Sequence, residues 1–266
     1  MTPPLPASRS PVGPFAAWFT VALLCLAQIV STMDRGMLAL VVDSVRGDLG
    51  ISDLQIALLQ GFAFSVFYVT VGLPLGAVAG MTNRRRLLVI GIIVWSAAAA
   101  AGGLAQDFGH MFLSRLFIGV GEAVLGPCAV TMIADMFPAE RRGRPMAVYV
   151  FGSMIAFGVG SVVTGTILQI APTGVFAGWP LIGSLSPWRT TFVLVGLSGF
   201  FLAALLLLVQ EPPRATLAAG SEHKAGIGAQ IAAIRADRAL LLPLYGALAF
   251  FAMGGSVATG WGAVLL

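Results

Sequence analysis

Seven long apolar runs, separated by short polar segments, restrict this chain to a helical membrane fold. A helix needs about 20 mostly apolar residues to cross the hydrocarbon core of a bilayer. The runs extend over Phe15–Val42, Leu54–Gly80, Leu87–Ala105, Phe108–Met136, Pro145–Ile170, Trp188–Val209 and Ala239–Leu266. We therefore predict an all-α membrane protein.

The composition excludes a soluble protein. Hydrophobic residues make up 58% of the 266 residues and charged residues only 10%, whereas a soluble domain has about 25% charged residues. The net charge of +4 comes from basic residues in short clusters between the apolar runs. Basic clusters of this kind are typical of the cytoplasmic loops of membrane proteins. We therefore expect the lipid bilayer as a partner and no binding of nucleic acid.

The charges of the loops predict the orientation. Basic residues follow the second, fourth and sixth runs, at Arg84–Arg86, at Arg141, Arg142 and Arg144, and at Arg214, Lys224, Arg235 and Arg238. The alternate loops are mostly acidic or uncharged. By the positive-inside rule the N-terminus is cytoplasmic. The richness in Gly, Ala and Arg favours a high-GC bacterium, so we expect a multi-pass protein of the bacterial inner membrane.

The longest polar segment divides the chain into parts. We predict a cytoplasmic tail at 1–14, a six-helix transmembrane bundle at 15–210 and a cytoplasmic inter-bundle loop at 211–238. Residues 239–266 are then the first helix of a second bundle. Because the chain stops within this uncharged run, we expect a fragment that lacks a C-terminal six-helix half.

Four ionisable residues lie inside the apolar runs: Asp34 and Arg35 in the first, Arg115 and Glu122 in the fourth. A charge at the middle of a membrane costs about 2.5–3.5 kcal/mol on insertion scales, so such residues mark solute or proton pathways. Both an Asp34–Arg115 pair and an Arg35–Glu122 pair are geometrically allowed. Two structural interpretations compete: an early end of the first helix in the headgroup region, or an interhelical hydrogen bond made by Glu122.

Glu122 is the best candidate for a proton carrier. Burial favours a neutral carboxyl group, whereas a nearby arginine favours the anion, so relative helix movement can switch the acid between the two states. We expect a proton gradient as the energy source, with no cofactor and no metal. Candidate cavity-lining residues are the polar ones within the first two runs, Gln28, Gln60, Ser65 and Tyr68.

Small residues at four-residue steps mark one face of the fifth run, at Gly152, Ala156, Gly160 and Thr164. This spacing allows close approach of a neighbouring helix. Pro74 and Pro127 are expected to kink the second and fourth helices.

Three motifs resemble those of the major facilitator superfamily. They are the loop Gly76–Arg86 (GAVAGMTNRRR), the segment Arg115–Gly121 (RLFIGVG) and the loop Phe137–Arg144 (FPAERRGR). Within that superfamily, the segments Met33–Arg35, Leu59–Tyr68 and Gly119–Ala123 most resemble Spinster-like lipid transporters.

The resemblance implies the N-terminal six-helix bundle of the major facilitator fold, a 3+3 inverted repeat. It also implies a monomeric, proton-linked carrier of lysophospholipids or sphingolipid-like amphiphiles, with Asp34, Arg35 and Glu122 as the coupling cluster. The cytoplasmic gate would comprise Arg84, Arg85, Asp135, Arg141, Arg142 and Arg144. Gly80-Met81 departs from the family's Asp-Arg, and Asp135 is a candidate to replace that aspartate in part.

Other functions compete with a lipid carrier. A small organic anion carrier would use Arg35 and Arg115 to bind a carboxylate, and a membrane sensor would bind without transport. An enzyme needs a nucleophile–base pair or a metal cluster, but the two histidines, His110 and His223, fall on opposite sides of the membrane in this topology. With one helix of a second bundle, the chain is not expected to transport its small-molecule substrate alone.

Overall fold

The computed structural model describes residues 12–180 and 182–214, together with the isolated positions 239, 243, 246 and 247. The chain divides into two compact units, Met1–Ala215 and Thr216–Leu266, and the description below concerns the first. Most of the predicted seventh span, of the predicted inter-bundle loop and of the predicted N-terminal tail lies outside the described residues.

The first unit is built from helices. They are α1 (Pro14–Leu40), α2 (Val42–Leu49), α3 (Asp53–Ala57), α4 (Ala63–Met81), α5 (Arg84–Gly102), α6 (Phe108–Glu122), α7 (Leu125–Met136), α8 (Gly143–Ile170) and α9 (Pro187–Leu206). One π-helical turn, Leu58–Phe62, joins α3 to α4. No strand occurs in the described ranges, which confirms the all-α prediction.

Six helical stretches are long and apolar enough to span a membrane. They are Pro14–Leu40, Asp53–Met81, Arg84–Gly102, Phe108–Met136, Gly143–Thr173 and Pro187–Leu206. Each agrees with one of the first six apolar runs to within a turn of helix at both ends, which confirms those spans.

Polar caps set the starts of three helices. Ser52 and Gln55 form a capping box at α3, the Asn83 side chain accepts a hydrogen bond from the amide of Arg86, and Asp107 does the same for His110. These contacts satisfy amides that have no partner in the first turn of a helix. These caps define the residues at which α3, α5 and α6 begin after polar loops.

The fourth span is interrupted between Glu122 and Leu125, where α6 ends and α7 begins. Pro127 has no amide proton to donate to the carbonyl of Ala123, so one helical hydrogen bond is missing at this point. The interruption lies directly after the buried acid Glu122. At the other predicted kink, α4 continues through Pro74 as one helix.

Helix α8 packs closely against α1 through its small residues. Gly152, Ala156, Gly160 and Thr164 are all buried, and a Cβ atom at Gly160 would lie 2.8 Å from Cγ of Met33 and 3.3 Å from its Cα. The predicted close helix contact is confirmed.

One end of the bundle, here called the basic end, is held by the buried Arg84. Its Nη1 lies 2.5 Å from Oδ2 of Asp135 on α7, and its Nε lies 2.8 Å from Oε1 of Glu211 beyond α9. Its Nη2 also donates to the carbonyl oxygen of Pro212. One guanidinium group thus links the start of α5, the end of α7 and the segment after α9.

The opposite end, here called the acidic end, has a second polar junction. Oδ2 of Asp48 on α2 accepts hydrogen bonds from Nε1 of Trp188 and Nε of Arg189, both at 3.0 Å. Nη1 of Arg189 donates to the carbonyl oxygen of Ala105 at 2.5 Å. The start of α9 is therefore bound to α2 and to the loop between α5 and α6.

Replacing Gly160 with Ala should destabilise the protein, because the new methyl group meets backbone as well as side-chain atoms of Met33. We expect a loss of roughly 1–3 kcal/mol in the free energy of unfolding, typical of overpacking. An SDS titration in mixed micelles measures it. Gly158→Ala is the matched control, since nothing lies within 4 Å of a Cβ at Gly158 and alanine favours the helix by up to about 1 kcal/mol. Equal effects of the two substitutions would contradict the packing described.

Replacing Arg84 with Gln should also destabilise the bundle. Breaking a fully buried ion pair costs about 3–5 kcal/mol. Asp135 and Glu211 retain some solvent contact, with side chains 16% and 23% exposed, so we expect about 2–3 kcal/mol here. The exposed Arg86 supplies the control, Arg86→Gln, expected to change stability by less than about 0.5 kcal/mol. The same SDS titration compares them, and similar losses for both would show that Arg84 does not hold this end.

Candidate functional site

Three of the four predicted intramembrane charges are fully enclosed by the bundle. Asp34 is 1% exposed, Arg115 3% and Glu122 1%, while the side chain of Arg35 is 33% exposed. Because α1 continues to Leu40, Asp34 and Arg35 lie within the helix and not after an early end. The structure brings all four residues to the contact region of α1 and α6.

Arg35 and Glu122 form an ion pair between α1 and α6. Nε of Arg35 lies 3.4 Å from Oε2 of Glu122, and the hydroxyl group of Ser31 donates a hydrogen bond to the same oxygen at 2.7 Å. The other carboxylate oxygen of Glu122 is buried without a hydrogen-bond partner in the described part of the chain. The acid therefore depends on α1 for both of its polar contacts.

Asp34 and Arg115 lie close together without an equivalent ion pair. Nη1 of Arg115 is 3.4 Å from the backbone carbonyl oxygen of Asp34, and the guanidinium group lies over the ring of Phe192 at 5.0 Å. Among the described residues, neither carboxylate oxygen of Asp34 has a hydrogen-bond partner, and Nε and Nη2 of Arg115 also have none. Of the two allowed pairings, only Arg35–Glu122 forms a direct contact between side chains.

A chain of hydrogen bonds connects Arg35 to α8. Nη2 of Arg35 donates to Oγ1 of Thr32 at 3.2 Å, and the amide of Gln28 donates to the same oxygen at 3.3 Å. The hydroxyl group of Tyr149 on α8 donates to Oε1 of Gln28 at 2.8 Å. Gln28, one of the candidate cavity-lining residues, thus belongs to the network.

The sequence analysis missed three members of this network: Ser31, Thr32 and Tyr149. The first two could have been found, because they precede Arg35 by four and three residues and such positions face each other on a helix. Tyr149 comes from another helix, and no local signal in the sequence connects it to Gln28.

The remaining cavity-lining candidates divide into two groups. Tyr68 is half-buried and stacks on Phe64 with ring centroids 5.2 Å apart, while Arg35 lies over the ring of Phe64 at 5.5 Å. Gln60 and Ser65 are exposed and show no side-chain hydrogen bond within the described ranges, so the structure does not join them to the ion pair. Gln60 lies in the π-helical turn, a local irregularity that often occurs at functional sites.

Glycine sets the distance between α4 and α6 at this site. A Cβ atom at Gly119 would lie 2.7 Å from the carbonyl oxygen of Phe64, which a real side chain does not allow. The absence of a side chain at Gly119 therefore lets the aromatic pair of α4 approach the helix that carries Glu122.

The predicted gate residues lie at the basic end. Arg84 and Asp135 form the ion pair described above, and the backbone amide of Arg85 donates to Glu211 at 2.8 Å. Arg142 donates through Nε to the carbonyl oxygen of Phe137 at 2.9 Å, and two further residues, Arg141 and Arg144, are exposed. Asp135 thus bonds to the basic loop through Arg84.

The ionisable groups of the site can compensate one another's charge. Among the described residues, no group of three His, Cys, Asp or Glu side chains lies close enough to hold a metal ion. A carboxyl group enclosed with one guanidinium and one hydroxyl group can exist as a paired anion or as a neutral acid, depending on the position of its partners.

Comparisons with known proteins agree with this architecture. "Protein spinster" of Drosophila melanogaster is 27% identical over 210 residues, which cover 79% of this chain and 32% of that protein. A protein of Escherichia coli named "Probable L-galactonate transporter" is 30% identical over 181 residues, 68% of this chain and 36% of that protein.

A solved structure has the same fold. The crystal structure of a bacterial homolog of the human lysosomal transporter Spinster, inward-facing and occupied, superposes with a TM-score of 0.71 at 27% sequence identity. The match covers 77% of this chain and 46% of that one. The chain thus spans less than half of the length of each of these relatives.

The family comparison covers nearly all of the chain. The model of the Major Facilitator Superfamily matches residues 24–265, and the relatives support the predicted resemblance to Spinster-like proteins. The chain is a multi-pass integral membrane protein with a helical bundle, and two of the relatives above are named as transporters. It belongs to the major facilitator superfamily.

Proposed function

We propose that this chain forms the first bundle of a proton-coupled secondary transporter that moves a lipid-like or amphiphilic small molecule by alternating access. The observation that carries the proposal is the Arg35–Glu122 ion pair between α1 and α6, with Ser31 as its third member. Ionisable groups at this depth are costly, and they occur where a proton or solute must pass.

The geometry provides a route from helix movement to proton affinity. While Arg35 and Ser31 contact Glu122, the negative charge of the carboxylate is compensated. If α1 and α6 separate, the carboxylate loses both contacts, and taking up a proton avoids an isolated buried charge. Proton uptake is thereby tied to conformation, and a proton gradient can drive the cycle without a cofactor.

Arg35 also senses the position of α8. Its hydrogen-bond chain through Thr32 and Gln28 ends on Tyr149. The small residues of α8 make a smooth surface against α1. Movement of α8 along α1 would change the hydrogen bonds of Arg35 and, through them, the ion pair.

An amphiphilic substrate fits the composition of the exposed side of the site. Arg35 is one-third exposed beside the aromatic pair of Phe64 and Tyr68, so a charged group and an apolar group can bind side by side. Alternating access requires two bundles around a central site. We therefore propose a second six-helix bundle as the partner of this one, within a monomeric transporter.

We propose that the basic end faces the cytoplasm of a bacterial cell, with the N-terminus on that side. Arg85, Arg86, Arg141 and Arg144 lie at this end, whereas Asp48, Asp53 and Asp107 lie at the other. Such a distribution follows the positive-inside rule.

A small organic anion is the second candidate substrate. The observation that favours it is the pair of guanidinium nitrogens on Arg115, Nε and Nη2, which lack hydrogen-bond partners in the described structure. Both nitrogens belong to the same planar guanidinium group and could donate hydrogen bonds to the two oxygens of one carboxylate. One relative carries the name of a transporter for the sugar acid L-galactonate.

Substituting Glu122 with Gln should abolish proton coupling, because the amide keeps the shape of the side chain but cannot take up and release a proton. In proteoliposomes of the full-length protein with both bundles, we expect uptake driven by a pH gradient to fall to background. Exchange of substrate across the membrane without a gradient should persist. An internal pH dye and labelled substrate measure the two processes.

The exposed Glu140 provides the matched control for that experiment. Glu140→Gln removes a carboxylate outside the bundle interior and should leave gradient-driven uptake at the wild-type rate. Full gradient-driven uptake by Glu122→Gln would exclude Glu122 as the coupling residue.

The two substrate classes can be separated with the same dye. We expect lysophospholipids to evoke proton movement in the wild-type protein and small organic anions to evoke none. If only the anions do so, Arg115→Gln should raise KM by about 10- to 100-fold, since a hydrogen bond to a charged group contributes about 1.5–3 kcal/mol. That outcome would replace the amphiphile with an organic anion.

A further inference from the structure

A groove of about 670 Å³ opens on the outer surface of the bundle between α5 and α6. Its floor is formed by Ala97, Ala98 and Ala101, and its walls by Leu104, Leu113 and Phe117. None of the residues that line it belongs to the ion-pair network. It is therefore separate from the site described above.

The groove exists because small residues on α5 face bulky residues on α6. Alanines at 97, 98 and 101 share one helix face, so they leave a recess along α5. The hydroxyl group of Ser114, also in the lining, donates to the carbonyl oxygen of Ala98 at 2.8 Å. With this polar group satisfied, the floor presents an apolar surface.

The groove is short enough to fit within one leaflet of a bilayer. It extends along α5 from Val94 to Ala101 and continues to Leu104 beyond the end of the helix. The helical part is about 10 Å long at 1.5 Å per residue, about a third of a hydrocarbon core 30 Å thick. Beyond Val94, towards the basic end, α5 presents the exposed side chains of Ile90 and Ile93, which are bulkier than the alanines of the floor.

Polar side chains stand at the outer end of the groove. Gln106 and His110 line it there, next to the start of α6. Nδ1 of His110 lies 3.0 Å from Oδ2 of Asp107, and the other ring nitrogen has no partner among the described residues. The groove is therefore apolar along its length and polar at one end, as a phospholipid molecule is.

We propose that this groove binds one acyl chain of a phospholipid from the leaflet at the acidic end, with an ester or phosphate oxygen accepting a hydrogen bond from the side-chain amide of Gln106, next to His110. The side chains of Leu104, Leu113 and Phe117 in its lining are exposed, so the groove is open along its side and an acyl chain can enter it. A transmembrane helix of another protein would have to cross the full bilayer, whereas the recess fits within one leaflet. The inference does not depend on the transport function proposed above.

Cross-linking with a photoactivatable lipid tests the proposal. The full-length protein is placed in nanodiscs that contain phosphatidylglycerol with a diazirine on its acyl chain, and labelled residues are mapped by mass spectrometry. We expect label to concentrate on residues 94–104 and 113–117. Ala101→Phe fills the floor and should reduce that labelling severalfold. Ala204→Phe, at an exposed position on α9, is the matched control and should leave it unchanged.

A second variant tests the polar end without changing the packing. The exposed pair Gln106→Ala and His110→Ala should lower the fraction of protein that retains a bound phospholipid in native mass spectrometry after detergent washing. This variant also carries the test if thermal melting shows that Ala101→Phe does not fold. Label spread evenly over α5, α6 and α9 or unchanged lipid retention in the double variant would each overturn the proposal.

Discussion

The ion pair of Arg35 and Glu122 is the constraint on which the arrangement of this bundle depends. Its members come from the first and fourth spans, so it exists only if α1 and α6 are in contact inside an apolar bundle. Neighbouring residues support this contact. Ser31 donates a hydrogen bond to Glu122, and the absence of a side chain at Gly119 lets α4 approach α6 beside the ion pair. Enclosing a charge without such partners would cost more free energy than a single ion pair contributes.

The second acid–base pair shows that charge balance and hydrogen bonding are separate requirements. Asp34 and Arg115 have opposite formal charges, yet their contact runs through the backbone carbonyl of Asp34 and leaves both carboxylate oxygens without partners among the described residues. Buried polar groups are usually satisfied, so groups that are not often mark functional sites. Between α1 and α6 there is thus one pair with a direct side-chain contact, Arg35 and Glu122. In the other pair, Asp34 and Arg115, a small movement could form such a contact.

The apolar runs predicted the spans because a bilayer imposes a fixed length, and Asp34, Arg35, Arg115 and Glu122 were identifiable because charges are rare in such runs. Which acid pairs with which base was not predictable, since both pairings agree with helix spacing and only the rotation of α1 against α6 decides. Pro74 and Pro127 were both expected to kink their helices, but α4 continues through Pro74 whereas the fourth span is interrupted near Pro127, and the sequence does not distinguish the two. The link from Gln28 to Tyr149 needs the contact of α8 with α1. Sequence therefore identified the elements and the costly residues, while packing decided their partners.

The charges at the two ends of the bundle have a different role from those in the middle. Arg84 at the basic end and Arg189 at the acidic end each bind several backbone or side-chain oxygens, so each links segments of the same bundle. The ionisable side chains at the centre of the bundle make few polar contacts and are enclosed by helix surfaces that are rich in glycine. Loss of a polar contact costs most at the centre, because a charge that loses its partner there stays enclosed by the bundle. At the two ends the acids Asp48, Asp135 and Glu211 are partly exposed, so water can replace a lost partner.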